Sequence, residues 1–183
     1  MFKGSRLIAA AVAALGLGIG SAVWATSAAS AAPAAPVILE CTSGQLAVWV
    51  YTNPGGAAAG SFDLPIGFTN ISHRTCFLVG YPGVSATNLN GTQLGSAAGR
   101  DPSPNKVITL AAGATANANM QVTDVLNFTP SACKPTFAAQ LKVFPPDSKT
   151  ALTAFFSVRV CAKKGPVYLH IMRIQAGTPF IGE

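Results

Sequence analysis

The stretch "ATANANMQVT", Ala114 to Thr123, decides the fold class. Ala114, Ala116, Ala118, Met120 and Val122 alternate without a slip with Thr115, Asn117, Asn119, Gln121 and Thr123. An extended chain turns successive side chains to opposite faces, so a period of two gathers the five apolar residues on one side, whereas a helix would scatter them around its axis. The stretch therefore predicts a half-buried strand.

Working outward, the same pattern recurs. Phe62, Leu64, Ile66 and Phe68 form one face and Asp63, Pro65, Gly67 and Thr69 the other; Pro65 has no N–H to give a ladder, which points to an edge strand. Leu46, Val48 and Val50 alternate with Ala47, Trp49 and Tyr51 before Asn53-Pro54-Gly55-Gly56 breaks the chain. On the other side, Phe137, Ala139, Leu141 and Val143 predict an inward face, Pro145-Pro146-Asp147-Ser148 a turn, and Leu152, Ala154, Phe156, Val158 and Val160 the returning strand of a hairpin. Shorter strands are expected at Cys76 to Tyr81, at Val84 to Leu89 and Thr92 to Leu94 around an Asn90-Gly91 turn, and at Val167 to Ile174 after Lys163-Lys164-Gly165-Pro166. The expectation is all-β: an antiparallel β-sandwich of about eight strands, with no amphipathic helix and no internal repeat.

The N-terminus reads differently. Lys3 and Arg6 precede an Ala/Gly/Leu-rich run to about Ala25, and Ala29-Ser30-Ala31 has the small-x-small form of a signal cleavage site, so residues 1–31 are expected to be a secretory signal. An uncleaved membrane anchor is the competing expectation. Glu40 immediately before Cys41 argues against a lipoprotein, and the lone Arg6 against twin-arginine export. A Pro/Ala-rich spacer over 32–40, the sandwich over 41–175 and a tail over 176–183 complete the organisation. Removing 31 of the 183 residues leaves 152, enough for one core. Ten basic residues then face six acidic ones with no dense basic tract, which argues against nucleic acid as a partner. A cell-wall polymer or envelope protein is the expected partner, and the cell envelope or medium the expected location.

Cys41, Cys76, Cys133 and Cys161 all follow the signal, and an even number in an exported chain predicts two disulfides. No two lie within five residues of each other, unlike the short pairs that preset a zinc site. Cys133 and Cys161 are nearly equidistant from the turn at Asp147, so the hairpin would bring them together and leave Cys41 to Cys76. The parity of the inward residues requires a bulge for this pairing, placed by this reading near Pro135. A bridge between sheets, which would pair the cysteines differently, is the rival.

"TNISHRTCFLVGYPGV" (Thr69 to Val84), "ITLAAGATANANMQV" (Ile108 to Val122), "SACKPTFAAQLKVFPP", "FSVRVCAKKGPVYL" and the early Cys41 together resemble the actinobacterial secreted family named domain of unknown function 4232. The most specific parts are the Cys-x-Leu-x-Gly-Tyr-Pro run at Cys76 to Pro82 and the order of the four cysteines; Ala112 departs from it, standing where a proline is expected before Gly113. The resemblance implies an immunoglobulin-like sandwich and brings no catalytic residue. Within "CFLVGYPGV", Gly80, Pro82 and Gly83 are the residues of a tight corner, with Tyr81 burying its ring and capping a strand end. The functional alternative puts Tyr81 at a ligand-facing loop tip.

Catalysis finds little support. His73 and His170 are the two imidazoles, and neither lies in a nucleophile or metal motif. Glu40, Asp63, Asp101, Asp124, Asp147 and Glu183 are scattered without a suggestive spacing. No enzyme activity and no cofactor are expected. His170 and Met172 share one strand face and are the weak candidates for a soft metal such as monovalent copper, the basis of an alternative metal carrier or small enzyme. Trp49 and Tyr51 also share a face; a core position is the ordinary expectation for a sandwich tryptophan, and an exposed platform for sugar rings or a partner protein is the functional one. The expected protein is a non-catalytic binding or structural module.

Overall fold

Two long strands of unbroken alternation seek each other because each has one apolar face to bury. In a computed structural model, which describes residues 37–52 and 57–178, they lie side by side. The strands are β1 (Leu39–Glu40), β2 (Leu46–Val50), β3 (Ala57–Ala58), β4 (Ser61–Asn70), β5 (Cys76–Leu78), β6 (Gly83–Thr87), β7 (Gln93–Leu94), β8 (Gly99–Arg100), β9 (Ile108–Leu110), β10 (Thr115–Thr123), β11 (Pro135–Phe144), β12 (Leu152–Cys161), β13 (Leu169–Ile171) and β14 (Gln175–Ala176). The expected signal over 1–31 and most of the spacer lie outside the described residues, while β14 pairs Gln175, the last residue expected in the sandwich, and Ala176, the first expected in the tail.

The strands form three sheets. One runs β2-β4-β10-β13-β8, with β3 also on β4 and β14 also on β10; a second runs β12-β11-β6-β7; a third, small one runs β1-β5-β9. Strand pairs β1–β5 and β8–β13 are parallel, so the arrangement departs from a purely antiparallel one, and it holds more strands than the eight expected because five are two-residue pieces between turns. Leu64, Ile66 and Phe68 of β4, Met120 and Val122 of β10 and Leu169 and Ile171 of β13 share one buried cluster with Val84 of β6, Leu141 and Val143 of β11 and Val158 and Val160 of β12. The inner faces of the two larger sheets thus contribute to one core.

Three expectations need correcting. Pro65 is not on an edge: β4 lies between β2 and β10, and Pro65 sits opposite Asn119. Its carbonyl accepts from the Tyr51 N–H (2.9 Å), so the missing donor faces the chain just past the end of β2, where no ladder bond is lost from the strand. Phe137 points outward, 63% exposed, and Ala138 points inward. The required bulge exists, but between Ala138 and Gln140 rather than at Pro135, and the buried residues of β11 change there from even to odd numbers. The segment before β11 forms a single helical turn, α1 (Pro130–Cys133), with proline at its start and Lys134 at φ 50° ending it.

Both disulfides pair as the hairpin argument requires, Cys41 with Cys76 and Cys133 with Cys161. The first joins the chain just after β1 to β5; the second holds α1 to the end of β12. Asn70, fully buried at the end of β4, donates to the carbonyls of Arg74 (2.8 Å), Leu110 (3.0 Å) and Ala111 (3.2 Å) and accepts from the Ser72 N–H (3.0 Å), closing two turns with one side chain.

The bridges close loops of 35 and 28 residues, and each should contribute about 2–4 kcal/mol. Reduction should therefore lower the melting temperature sharply, and a reduced sample that melts with the oxidised one would contradict this. Tyr168 is fully buried and donates its hydroxyl to Leu94 O (3.0 Å), and burial pushes its ionisation far above the ordinary tyrosine range. Its folded-state pKa is raised, so its contribution to stability is present below the unfolded value of about 10 and is lost as pH rises beyond it. Tyr168→Phe should cost about 1 kcal/mol at pH 7 and flatten the decline above pH ~10, as read by urea denaturation at both pH values.

Candidate functional site

The side of the seven-stranded sheet turned away from the core carries the odd-numbered residues of β2, β4 and β10. Cross-strand partners assemble them in rows. Trp49 lies opposite Gly67, Gly67 opposite Asn117, and Asn117 opposite Gln175. The next row holds Tyr51, Pro65 and Asn119, and the next Asp63, Gln121, His170 and Gly99. The aromatic pair and the His170 region, two separate sequence candidates, therefore share one sheet face, three strands across and one to two rows along from each other.

Trp49 is not a core residue: it is 39% exposed. Its indole lies flat over Gly67, where a Cβ would come within 2.7 Å of the ring, so only glycine leaves room. The indole N–H donates to Thr69 Oγ1 (3.1 Å), and that hydroxyl is in turn 2.8 Å from Thr115 Oγ1. The Tyr51 ring lies 4.1 Å from the Trp49 ring, centroid to centroid, at 40°. The tryptophan is thus held by a ring on one side, a backbone beneath and a hydrogen bond at its edge.

Polar groups surround the pair. Tyr51 Oη, Asp63 Oδ1 and Asn119 Oδ1 are each shielded from solvent and have no hydrogen-bond partner among the described residues. Burial pushes the Tyr51 hydroxyl above its ordinary pKa. Asn117 donates to Gly177 O (2.9 Å), and Gln121 is exposed.

The other candidates fall elsewhere or are engaged. His170 Nδ1 lies 3.4 Å from Asp101 Oδ1, with Met172 exposed beyond the end of β13. Among the described residues no group of three or more His, Cys, Asp or Glu side chains is placed to hold a metal ion. His73 is exposed in the 71–75 turn. Tyr81 occupies the corner after Gly80 (φ 97°), donates to Ser103 O (2.7 Å) and accepts from Ser103 N (2.7 Å). That hydroxyl fastens the loop after β8 rather than capping a strand end, and the Arg100 guanidinium lies 5.8 Å from its ring centroid. Among the carboxylates, Asp124 caps a turn through Leu126 N (3.0 Å) and Glu183 lies outside the described residues. Glu40 borders a separate cleft with Asp147; burial first, and the Asp147 charge second, raise its pKa.

Gly67, Asp63 and Asn119 were not singled out from the sequence as site residues. Their outward direction was legible from alternation, but their adjacency to Trp49 depends on register between distant strands. The available signal was the run Asn117, Asn119, Gln121, since three amides on one strand face are more than solubility requires.

Gly67→Ala should lift the indole off the sheet at a stability cost of about 1 kcal/mol. In a chain beginning at Ala32, Trp49 is the one tryptophan, so its emission should shift to the red while the far-ultraviolet circular dichroism stays unchanged. An unshifted spectrum would show that the ring does not rest on Gly67.

Among the described residues no helix is long and apolar enough to cross a membrane. No curated protein matches the chain. A family model matches residues 41–168, from the first cysteine to the buried Tyr168, and the chain belongs to that family, described as Domain of unknown function (DUF4232).

Proposed function

We propose that the protein is an exported, non-catalytic binding module of immunoglobulin-like sandwich type, acting in the cell envelope or medium and holding its ligand on the outer face of the seven-stranded sheet. The observation that carries this reading is the immobilised Trp49: a large aromatic surface, partly open to solvent, that the fold fixes instead of burying. Rigid aromatic anchors of this kind supply contact area with little entropy to lose. Four cysteines all engaged in disulfides, and a leader with the pattern of an export signal, support an oxidising destination. Two larger sheets sharing one core support the sandwich.

The envelope polymer or protein expected as partner can be sought directly. Purified protein is mixed with isolated cell walls of the producing cell, and the bound fraction is measured against concentration. Trp49→Ala should weaken retention at least about tenfold with little change in melting temperature, because the ring lies outside the core. His170→Ala should retain wild-type binding. Equal retention of Trp49→Ala and wild type would overturn the reading, and loss with His170→Ala alone would favour the metal-carrier alternative.

A further inference from the structure

Resting on that reading, we infer that the ligand is a neutral saccharide chain whose ring stacks on Trp49 and whose hydroxyls pair with Tyr51, Asp63 and Asn119.

The three oxygens of these residues are the starting point. A buried polar atom without a partner costs about 1–3 kcal/mol, and folded proteins keep few of them. Here three surround one residue, Pro65: Tyr51 beside it on the β2 side, Asn119 opposite it on β10 and Asp63 two residues back on the same strand face. Two of the three, Asp63 Oδ1 and Asn119 Oδ1, only accept, while the Tyr51 hydroxyl both donates and accepts, so a ligand that brings groups of both kinds makes the arrangement favourable. The Tyr51 ring lies against the indole, so the inferred stacking requires that ring to turn away, and the three oxygens, shielded in the free protein, become reachable in the same movement.

The chemistry of the donors follows from the rest of the face. Asn117, Asn119 and Gln121 stand in line on β10; Asn117 is buried with its amide N–H on Gly177 O, which leaves Asn119 and Gln121 as amides that can both donate and accept. Such a row matches hydroxyls, which do the same; an anionic ligand can only accept and meets Asp63, and a cationic one can only donate and meets a chain whose ten basic residues after the expected leader outnumber its six acidic ones. An apolar flat surface beside a row of mixed donors and acceptors is the complement of a sugar ring, with C–H bonds on its face and hydroxyls on its edge. The rows continue from Trp49 toward His170, so the face has room for a chain rather than a single ring.

The test is an array of immobilised oligosaccharides, neutral and anionic, together with a lysine- and arginine-rich peptide, probed with wild type, Trp49→Ala, Asp63→Ala and Asn119→Ala. Wild type should bind at least one neutral glycan, and each variant should weaken that binding about tenfold or more. Asp63→Ala and Asn119→Ala should melt at or above the wild-type temperature, because each removes an unpaired buried atom; a lower melting temperature with unchanged binding would make these residues structural and overturn their assignment. Binding only to anionic glycans or to the peptide overturns the ligand class. Cell-wall retention that depends on Trp49, without binding to any neutral glycan, would overturn the saccharide while leaving the face as the site. Wall retention indifferent to Trp49 would remove the underlying reading as well.

Discussion

The nine-residue ladder between β4 and β10, from Thr69 opposite Thr115 to Ser61 opposite Thr123, is the constraint on which the rest of the structure depends. A side-chain period of two means that a slip of one residue would exchange the two faces of a strand. Here Leu64, Ile66 and Phe68 fall on the same side as Ala116, Ala118, Met120 and Val122, and all seven are buried, so hydrophobic burial holds the register against slippage. The same register decides what the other side displays: with the core in place, Gly67 must stand beside Asn117, and Pro65 beside Asn119.

Much of this was legible because alternation is a local signal. Strand identity, the hairpin between β11 and β12, the cysteine pairing and the shared face of Trp49 and Tyr51 all follow from alternation and spacing along the chain. What failed was long-range or hidden by composition. Phe137, Ala138 and Ala139 are all apolar, so the alternation could not show where the ladder slips, and the aromatic residue was assigned to the core when the alanine occupies it. Pro65 misled for another reason: a proline is excluded from a ladder only where its N–H is needed, and that depends on where the neighbouring strand stops. Burial of Trp49 could not be decided either, since it rests on Gly67, eighteen residues away in sequence.

The edges of the sheets are managed by local devices rather than by the core. Asn70 closes the turns on either side of it, Tyr81 fastens the loop beyond β8 to the corner after β5, and the two disulfides bind short segments, β1 and α1, that bury too little apolar surface to hold themselves in place. Closing long loops limits the unfolded chain, and the hydrogen bonds then select one arrangement of the ends. The central strands are left free of such duties.

That division of labour explains why the candidate site lies where it does. A recognition surface built on loops moves with them; one built across β2, β4 and β10 inherits the rigidity of the core beneath it. Trp49 shows the principle at the level of one side chain. Its indole has Gly67 below and Thr69 at its N–H, so the ring is held in place before any ligand arrives. The unpaired oxygens nearby run the other way, since Tyr51, Asp63 and Asn119 leave the free protein less stable than apolar residues of like shape would. Among the described residues four buried side-chain oxygens lack a partner, and three of them lie on the face proposed to bind, while the buried polar groups of Asn70 and Tyr168 are paired within the fold.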